Sequence, residues 1–340
     1  MGASLKEGSG AGRPYQRVDA GSTSAMVSKS EIALERPELV PHWADLEATF
    51  AVRITRSFWR RMERYGADDP LARQVVPDVR ELTSGGLVDP VGDAACSPVP
   101  WVVHKYPNRA LLLLTKRCHL HCRYCFRRTY SPSESADPTD EELDTAIRYL
   151  VSHDLHEVIL SGGDPLAARP ERLIHVMNAL SDKVPLLRIH TRAPITYPQC
   201  VDDRLIAALS ARRPLWMVVH CNHPRELSDD VRLALRRLVD AGITVLNQAV
   251  LLRGVNDDED VLVDLCVELT RLGVKPYYLH HTDRVSGTAH FWVEPEQGLR
   301  LHDALRRRVS GLALPRYVID PPDGTGKVDV RTWMAERTPR

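Results

Sequence analysis

The sequence lacks an excess of charge of either sign, and it lacks an apolar run long enough to cross a membrane. Its 340 residues include 45 Lys and Arg against 45 Asp and Glu, so that the formal net charge is zero. No run of about 18 or more apolar residues occurs, and the first residues lack the basic and then apolar order of a signal peptide. We therefore expect a cytoplasmic protein without a membrane anchor and without the broad basic surface of a nucleic-acid binder.

Cysteine is scarce, and its distribution is uneven. The chain has seven cysteines, an odd number, and three of them fall within residues 118–125. Disulfide frameworks are typical of short exported chains, so this grouping indicates metal ligation in a reducing compartment instead. Cys96, Cys200, Cys221 and Cys266 have no such spacing, and we interpret them as ordinary small residues of the interior or near surface.

Apolar runs with strand character recur about every 30 residues in the central part of the chain. Amphipathic stretches with the capping residues of helices lie between them. Continuous apolar strands that alternate with helices predict an α/β fold with a parallel sheet, and six such units favour a partial (β/α)6 TIM-like barrel. The absence of a GxGxxG motif after the first strand argues against a dinucleotide-binding fold. The runs cover residues 110–115, 156–161, 185–190, 215–221, 243–250 and 275–281, and the clearest helical stretches are 139–153 and 228–241.

Composition and pattern divide the chain into four parts. Residues 1–27 are rich in Gly, Ser and Ala with little to bury, and are predicted to form a disordered tail. Residues 28–100 have helical spacing and are interpreted as an N-terminal helical cap that extends the barrel of residues 101–293. Residues 294–340 are predicted to add a C-terminal helix and a lysine-bearing segment. In barrels of this kind the chemistry lies at the C-terminal ends of the strands.

A CxxxCxxC motif follows the first strand of the predicted barrel, and its cysteines are Cys118, Cys122 and Cys125. Three thiolates on so short a loop can bind three corners of a 4Fe-4S cluster and leave the fourth iron without a protein ligand. S-adenosyl-L-methionine (SAM) can chelate that iron through its amino and carboxylate groups. The alternatives are a zinc knuckle or reduced structural cysteines. Zinc sites usually have paired CxxC units or a fourth ligand at a set spacing, and neither is evident nearby.

The motif, with Tyr124 before its last cysteine, resembles the signature of the radical SAM superfamily. One strand–helix unit later, Ser161-Gly162-Gly163-Asp164 resembles the glycine-rich stretch that lets the backbone approach the methionine part of SAM. Two glycines after a strand are usually only a turn, but their place after the cysteine loop makes the signal specific. The resemblance implies a barrel of the radical SAM type in which Tyr124, Gly162, Gly163 and Asp164 lie at the SAM site.

Further segments resemble one family of that superfamily, the lysine 2,3-aminomutases. The resemblance implies a second cofactor, pyridoxal 5'-phosphate (PLP), and it implies that Gln248 contacts SAM. It also implies that Lys105, Tyr106 and Arg109 hold the PLP phosphate, a task that suits a short basic cluster. The matching segments are residues 105–109, 125–128, 190–192, 222–224, 247–256, 276–279 and 287–291.

Near the C-terminus, residues 320–327 resemble the glycine-rich loop that carries the PLP lysine of this family, which implies a catalytic role for Lys327. A lysine flanked by small residues can reach a buried carbonyl group and bond to it covalently. An exposed loop position is the commoner fate of a single lysine, and only the place of Lys327 within the motif favours the functional interpretation.

The resemblance also implies the substrate contacts. Asp283 and Asp320 match two aspartates that accept the side-chain cation of lysine, and Arg127 matches an arginine that binds its carboxylate. Two carboxylates that converge in a closed pocket repel each other unless a cation lies between them, so the pair argues for a basic substrate. Residues 280–283 depart from the sequence usual in the lysine enzymes, and a guanidinium prefers bidentate carboxylates, so L-arginine is an alternative to L-lysine.

The implied activity is that of an isomerase, a radical SAM, PLP-dependent 2,3-aminomutase that moves the α-amino group of a basic amino acid to its β-carbon. We expect conversion of L-lysine to β-lysine, with L-arginine to β-arginine, for example in antibiotic biosynthesis, as the alternative. Three other hypotheses are a shorter relative that makes β-lysine for attachment to a translation factor, a radical SAM enzyme without PLP, and a non-catalytic iron–sulfur protein.

The expected partners follow from the same resemblance. A reducing electron donor such as flavodoxin or ferredoxin is implied for the cluster. Long members of the family carry a C-terminal extension with zinc-binding cysteines, and this sequence has no counterpart of it. A zinc-bridged tetramer is therefore not expected, and a homodimer is the tentative alternative.

Overall fold

The computed structural model describes residues 25–63, 65, 66, 68–83, 85–129, 136–212, 214–323 and 326–337. Residues 1–24 of the predicted tail and Gly324 of the predicted lysine loop lie outside these ranges. Close to the start of the described chain, Met26 forms an isolated bridge with Thr55. None of the helices in the described ranges has the length and apolar character that a membrane span requires.

A nine-stranded sheet forms the centre of the molecule, and its strands follow one another in space in the order of the chain. Strands β2 to β8 are parallel to their neighbours, whereas β1 and β9 pair antiparallel at the two edges. The strands are β1 (Val102–Tyr106), β2 (Arg109–Thr115), β3 (Glu157–Gly162), β4 (Leu186–Thr191), β5 (Leu215–Val219), β6 (Thr244–Val250), β7 (Lys275–His280), β8 (Arg316–Ile319) and β9 (Val328–Asp329).

Six helices alternate with the strands, because α4, α5, α7, α8, α9 and α10 follow β2 to β7 in turn. This arrangement confirms the predicted α/β fold with six strand–helix units, and each predicted apolar run overlaps one strand. No pairing joins β1 to β9 in the described part of the chain, so the barrel is partial. The helices are α1 (Lys29–Glu35), α2 (Trp43–Thr49), α3 (Arg56–Trp59), α4 (Asp140–Ser152), α5 (Pro170–Leu180), α6 (Ala193–Thr196), α7 (Asp203–Ser210), α8 (Asp229–Asp240), α9 (Glu259–Arg271), α10 (Pro295–Arg308) and α11 (Val330–Ala335).

The ends of the helices show how local sequence sets their bounds. Before α4, the Thr139 hydroxyl accepts a hydrogen bond from the Glu142 amide, and the Glu142 carboxylate accepts one from the Thr139 amide. This reciprocal cap satisfies two backbone donors at the helix start. Ser228 occupies the corresponding position before α8 but makes no such bond with its side chain. After α8, Gly242 has a φ of 76°, the left-handed conformation that ends many helices.

Two apolar clusters position the cysteine loop. The larger cluster fills the space between the sheet and its helices. The smaller one gathers the N-terminal segment, including Trp43, Leu46, Phe58 and Trp59, and it also contains Leu120 of the cysteine loop. The N-terminal segment therefore packs directly against the loop between Cys118 and Cys122. Short 3-10 helices at Pro37–His42, Ala72–Gln74, Val79–Leu82 and Ala94–Cys96 complete this segment.

Candidate active site

One cavity of about 370 Å³ occupies the interior of the partial barrel. It extends from the cysteine loop, beyond the C-terminal end of β2, to side chains in the first half of the strands, such as Arg109, Arg188 and Arg316. Every site residue predicted from the sequence lines it. These residues are Lys105, Tyr106, Arg109, Cys118, Cys122, Tyr124, Cys125, Arg127, Gly162, Gly163, Asp164, Gln248, Asp283, Asp320 and Lys327.

The cysteine loop is held from two sides by backbone hydrogen bonds. The amide of Arg123 donates to the carbonyl of Gln74 at 2.8 Å, and the amide of His121 donates to that of Arg53 at 2.9 Å. The Arg123 guanidinium also donates to the fully buried carboxylate of Glu81, with 2.9 Å between Nε and Oε1. These contacts make the N-terminal segment a part of the wall behind the cysteines.

The thiols of the loop lie in surroundings that disfavour bare thiolates. Burial raises the pKa of Cys118 well above its usual value and raises that of Cys125 to about 11. Thiolates at these positions therefore need a positive centre close to the sulfur, which iron provides. The sulfur of Cys122 already accepts a hydrogen bond from Nη1 of Arg192 at 2.7 Å.

The arrangement of the three cysteines bears on which metal centre they suit. In the described part of the chain, no three His, Cys, Asp or Glu side chains are grouped so that they could hold one metal ion. Each iron of a 4Fe-4S cluster binds its own cysteine, so cluster ligands need not converge on a single point. A zinc knuckle requires such convergence, and the loop therefore fits a cluster better than a zinc ion.

Gly162 and Gly163 bring the end of β3 against the backbone at the start of the cysteine loop. A Cβ atom on Gly162 would lie 2.2 Å from the carbonyl oxygen of Thr115, and one on Gly163 would lie 2.3 Å from that of Arg117. The amide of Gly163 donates to the Thr115 carbonyl at 2.6 Å. Glycine is thus required here by a close approach of two backbone segments of this chain.

Asp164 joins the ends of β3 and β4. Its carboxylate accepts the Thr191 hydroxyl at 2.6 Å and the amides of Arg192 and Ala193 at 2.8 and 2.9 Å. These bonds satisfy a buried carboxylate and fix the backbone that follows β4.

Lys327 lies where the first strand of the sheet, β1, approaches the last strand, β9. Its Nζ donates to Oδ2 of Asp320 at 2.9 Å, and its amide donates to the hydroxyl of Tyr106 at 2.9 Å. Tyr106 is the last residue of β1, whereas Lys327 directly precedes β9. A Cβ atom on Gly326 would lie 2.3 Å from the Tyr106 hydroxyl, so glycine permits this contact.

The two predicted substrate aspartates differ in their surroundings. Burial and the neighbouring Asp320 raise the pKa of Asp283 to about 7. Among the described residues, no Lys, Arg or His nitrogen lies within 4.0 Å of the Asp283 carboxylate. Asp320 is paired with Lys327, and Lys105 lies 3.6 Å from its other oxygen. Asp283 is therefore a half-buried carboxyl whose ionised form lacks a close counterion in this part of the structure.

Arg127 is held by an acidic residue of the N-terminal segment. Its Nε and Nη2 donate to Oδ2 of Asp93 at 3.0 and 2.7 Å. Its Nη1 donates over longer distances to the Ser161 hydroxyl and the Gly162 carbonyl, at 3.3 and 3.4 Å. One edge of the guanidinium thus pairs with Asp93, and Nη1 lies at the cavity wall.

Several cavity residues had no assigned role in the sequence analysis. Glu157, at the start of β3, lies 3.0 Å from Nε of Arg188 and 3.8 Å from Nη1 of Arg109, so it gathers two cations. Burial lowers the pKa of His190 and His220 well below its usual value and that of His280 to about 3, so these rings are neutral at pH 7. Residues 190–192 were part of the family resemblance, but nothing in their spacing pointed to a contact.

Comparison with known proteins gives consistent matches. Residues 112–266 match the Radical SAM superfamily. The chain is 37% identical over 295 residues to the L-lysine 2,3-aminomutase of Buchnera aphidicola subsp. Baizongia pistaciae, with 85% of this chain and 86% of the relative covered. It is 41% identical to the putative L-lysine 2,3-aminomutase of Treponema pallidum, with 80% and 81% covered. It is 36% identical to the L-lysine 2,3-aminomutase of Clostridium subterminale, with 82% and 68% covered.

Solved structures resemble the chain more distantly. Streptococcus suis SuiB bound to the precursor peptide SuiA aligns with a TM-score of 0.49 at 13% identity, over 62% of this chain and 49% of that one. Methylornithine synthase aligns with a TM-score of 0.41 at 17% identity, over 65% and 74%.

Proposed function

The chain belongs to the L-lysine 2,3-aminomutase family of the radical SAM superfamily, and on that premise we propose that it is a PLP-dependent 2,3-aminomutase of basic L-α-amino acids, with L-lysine as its first candidate substrate. Membership makes the protein an isomerase, and it implies a 4Fe-4S cluster and SAM. When bound, the cluster and SAM supply the radical chemistry, and PLP supplies the electron sink for the migrating nitrogen. The chain supplies position, charge and exclusion of water.

We assign Cys118, Cys122 and Cys125 as the ligands of three irons. The surroundings of Cys118 and Cys125 support this assignment, because iron provides the positive charge that thiolates need at these two positions. The fourth iron then remains for SAM, and Tyr124 and Gln248 line the adjoining wall. These assignments, together with those of Gly162, Gly163 and Asp164, rest on the family resemblance and on a shared cavity.

We assign Lys327 as the residue that bonds covalently to PLP. We assign the PLP phosphate to three residues of the first two strands, Lys105, Tyr106 and Arg109. A phosphate needs cations and a hydroxyl donor, and these side chains provide both. Covalent use of the Lys327 amine takes away the cation that now pairs with Asp320. Asp320 then retains Lys105 beside its other oxygen and can accept a further cation at Oδ2, so the same lysine couples cofactor loading to preparation of the substrate site.

The observation that carries the choice of substrate is the half-buried Asp283 carboxyl beside Asp320. The pKa of Asp283 is raised, and a cation between the two carboxyls stabilises its ionised form. A basic side chain provides this cation, whereas glutamate would add a third negative charge. Arg127, which lines the same cavity, is assigned to the substrate carboxylate.

Residues that depart from the family's usual sequence contribute little to the choice between lysine and arginine. His281 Nδ1 bonds to the Tyr317 hydroxyl at 2.7 Å, and the Thr282 hydroxyl donates to the carbonyl of Leu251. Of residues 280–282, only His280 lines the cavity, and its ring is neutral. L-arginine therefore stays as the alternative substrate, since two carboxylates can also bind both edges of a guanidinium.

Anaerobic incubation with single amino acids tests the proposal. The reconstituted enzyme is supplied with reductant, SAM and PLP, and then with lysine, arginine, ornithine or glutamate, and the β-isomer is measured by chromatography. We expect β-lysine or β-arginine and no β-glutamate. A β-isomer of glutamate alone would contradict the basic pocket. Absence of methionine and 5′-deoxyadenosine with every amino acid would favour a non-catalytic iron–sulfur protein.

A further inference from the structure

A buried polar network surrounds Arg192, the residue after β4, and the mechanism above does not use it. Its members come from the N-terminal segment, from the end of β4 and from the loop after β5. Gln74, Asn222 and Glu226 are 0% exposed, and Arg192 is 7% exposed. Groups of this kind are costly to bury unless each one is hydrogen-bonded.

Glu226 is the centre of the network. Its Oε1 accepts the amides of Asn222 and His223 at 2.9 and 3.0 Å, and it accepts Nε2 of Gln74 at 3.1 Å. Its Oε2 accepts Nη2 of Arg192 at 2.9 Å. Both carboxylate oxygens are therefore engaged, and three of their four donors fix the carboxylate relative to the backbone and the N-terminal segment.

Gln74 completes the hold on the guanidinium. Its Oε1 accepts Nη2 of Arg192 at 2.7 Å and Nδ2 of Asn222 at 3.0 Å. Nη2 of Arg192 thus has two acceptors, and the guanidinium is fixed in its plane. Nη1, the other terminal nitrogen, is directed at the sulfur of Cys122 at 2.7 Å.

Stability alone does not account for such a pair. A fully buried Arg–Glu pair loses much of its Coulomb energy to desolvation, and apolar side chains of similar volume often fill the same space at least as well. An apolar replacement cannot provide a fixed positive charge next to the sulfur of Cys122. The network does provide this charge, and we look for its function there.

We infer that Glu226 and Gln74 are positioning residues that hold Arg192 against the Cys122 sulfur, and that this contact raises the reduction potential of the cluster. The inference rests on the proposed ligation of iron by Cys122. One-electron reduction adds a negative charge to the cluster and its thiolates. A fixed cation and a hydrogen bond to a ligand sulfur stabilise the reduced state more than the oxidised one, and the burial of Arg192 weakens the screening of its charge by solvent.

Arg61 offers a matched control in the same region. Its side chain is buried like that of Arg192, and its hydrogen bonds in the described part of the chain go to the carbonyls of Ile195 and Glu226, at 2.6 and 3.2 Å, and to the Ser57 hydroxyl. Loss of Arg61 therefore removes a buried cation near the network but leaves the contact on the sulfur in place.

The test is a mediated redox titration of the reconstituted full-length protein, followed by electron paramagnetic resonance without SAM or amino acid. The variants are Arg192→Gln, Arg192→Lys, Glu226→Gln and Arg61→Gln, and iron and sulfide are measured in each. We expect Arg192→Gln to shift the one-electron equilibrium at least tenfold towards the oxidised cluster, which is about 59 mV. Glu226→Gln should shift it in the same direction by less, Arg192→Lys should retain part of the wild-type potential, and Arg61→Gln should stay close to the wild type.

Several results would overturn the inference. One such result is an unchanged reduction potential in Arg192→Gln with full iron content. If the affinity for SAM fell in that variant instead, Arg192 would be assigned to SAM binding. An equal shift in Arg61→Gln is another, because it would reduce the effect to general loss of buried charge. If Arg192→Gln takes up no iron, its reduction potential cannot be measured. Unchanged reduction potentials in both Arg192→Lys and Glu226→Gln would then contradict the inference. A wild-type protein without a cluster would instead overturn the proposed function on which it rests.

Discussion

The ammonium nitrogen of Lys327 lies 2.9 Å from Oδ2 of Asp320. The residue assigned to PLP and one of the residues assigned to the substrate thus share an ion pair. When the amine is consumed, Asp320 loses this partner and retains Lys105, which lies 3.6 Å from its other oxygen.

Lys327→Ala should abolish covalent attachment of PLP and leave iron uptake unchanged. Lys327 supplies the amine, whereas the cysteine loop is at a distance in the sequence and is held by other contacts. The measurement is borohydride reduction in the presence of PLP, followed by mass spectrometry of the labelled peptide. Lys105→Gln is the matched control, since Lys105 also lies near Asp320 yet should leave the label on Lys327 at saturating PLP. A label that persists in Lys327→Ala would move the PLP site elsewhere.

Asp320→Asn should raise KM for a basic substrate about 30-fold or more, because loss of one partner of a buried charge pair costs about 2 kcal/mol or more. SAM affinity should stay nearly the same. Binding of norleucine, which has no side-chain cation, serves as the control and should be little affected. Equal losses for lysine, norleucine and SAM would indicate a folding defect instead.

The activity should depend on pH through Asp283. Its raised pKa of about 7 means that the carboxyl is protonated below that pH, and a cationic substrate binds the ionised form. We expect kcat/KM to fall about tenfold per unit below pH ~7 and to be level above it. The buried histidines of the cavity have lowered pKa values and do not titrate in this range. In Asp283→Asn the bend of the kcat/KM profile near neutral pH should disappear. A bend that remains in this variant would show that another group titrates there.

Gly163→Ala should destabilise the cysteine loop and reduce iron uptake. The added Cβ would lie 2.3 Å from the Arg117 carbonyl oxygen, and a backbone contact of this kind cannot relax by rotation of a side chain. We expect a loss of about 1–3 kcal/mol in the free energy of unfolding, measured by chemical denaturation. Gly311→Ala is the control, because a Cβ at Gly311 has no atom within 4 Å. Comparable losses in both variants would contradict the assigned role of Gly163.

Cys122→Ala should leave the fold largely intact but abolish cleavage of SAM. Three cysteines are needed to hold the cluster with one iron open, and two leave it unstable. Cys200→Ala is the control, since Cys200 is half-buried outside the loop. Circular dichroism reports the fold, and production of 5′-deoxyadenosine reports the cleavage. Unchanged cleavage in Cys122→Ala would contradict the ligand assignment.

The sequence predicted well those features whose residues are close together in the chain. Strands β2 to β7 were visible because each one lies in a stretch with strand character, of which β2, β3 and β5 are the most apolar and most buried. Strands β1, β8 and β9 were missed. β9 has two residues, β8 has four, and β1 ends in His104, Lys105 and Tyr106, so none of them forms a long apolar run.

The candidate site shows the same division. The cysteine loop and the paired glycines are local motifs, so their residue types and spacing could be read directly. The contact of Arg192 with Cys122 joins positions 70 residues apart, and that of Arg123 with Glu81 joins positions 42 apart. Neither pair has a local pattern, because only the folding of the chain brings the partners together. The pairing of Arg127 with Asp93 was missed for the same reason.

The hydrogen bond between the Tyr106 hydroxyl and the Lys327 amide spans the seam between the first and the last strand of the sheet. Lys327 follows Cys125 by 202 residues. During synthesis the ribosome therefore completes the cysteine loop long before Lys327 emerges, and the seam can close only on a finished chain. We expect iron delivery to be possible on an earlier, still open molecule, with PLP attachment as the later event of maturation.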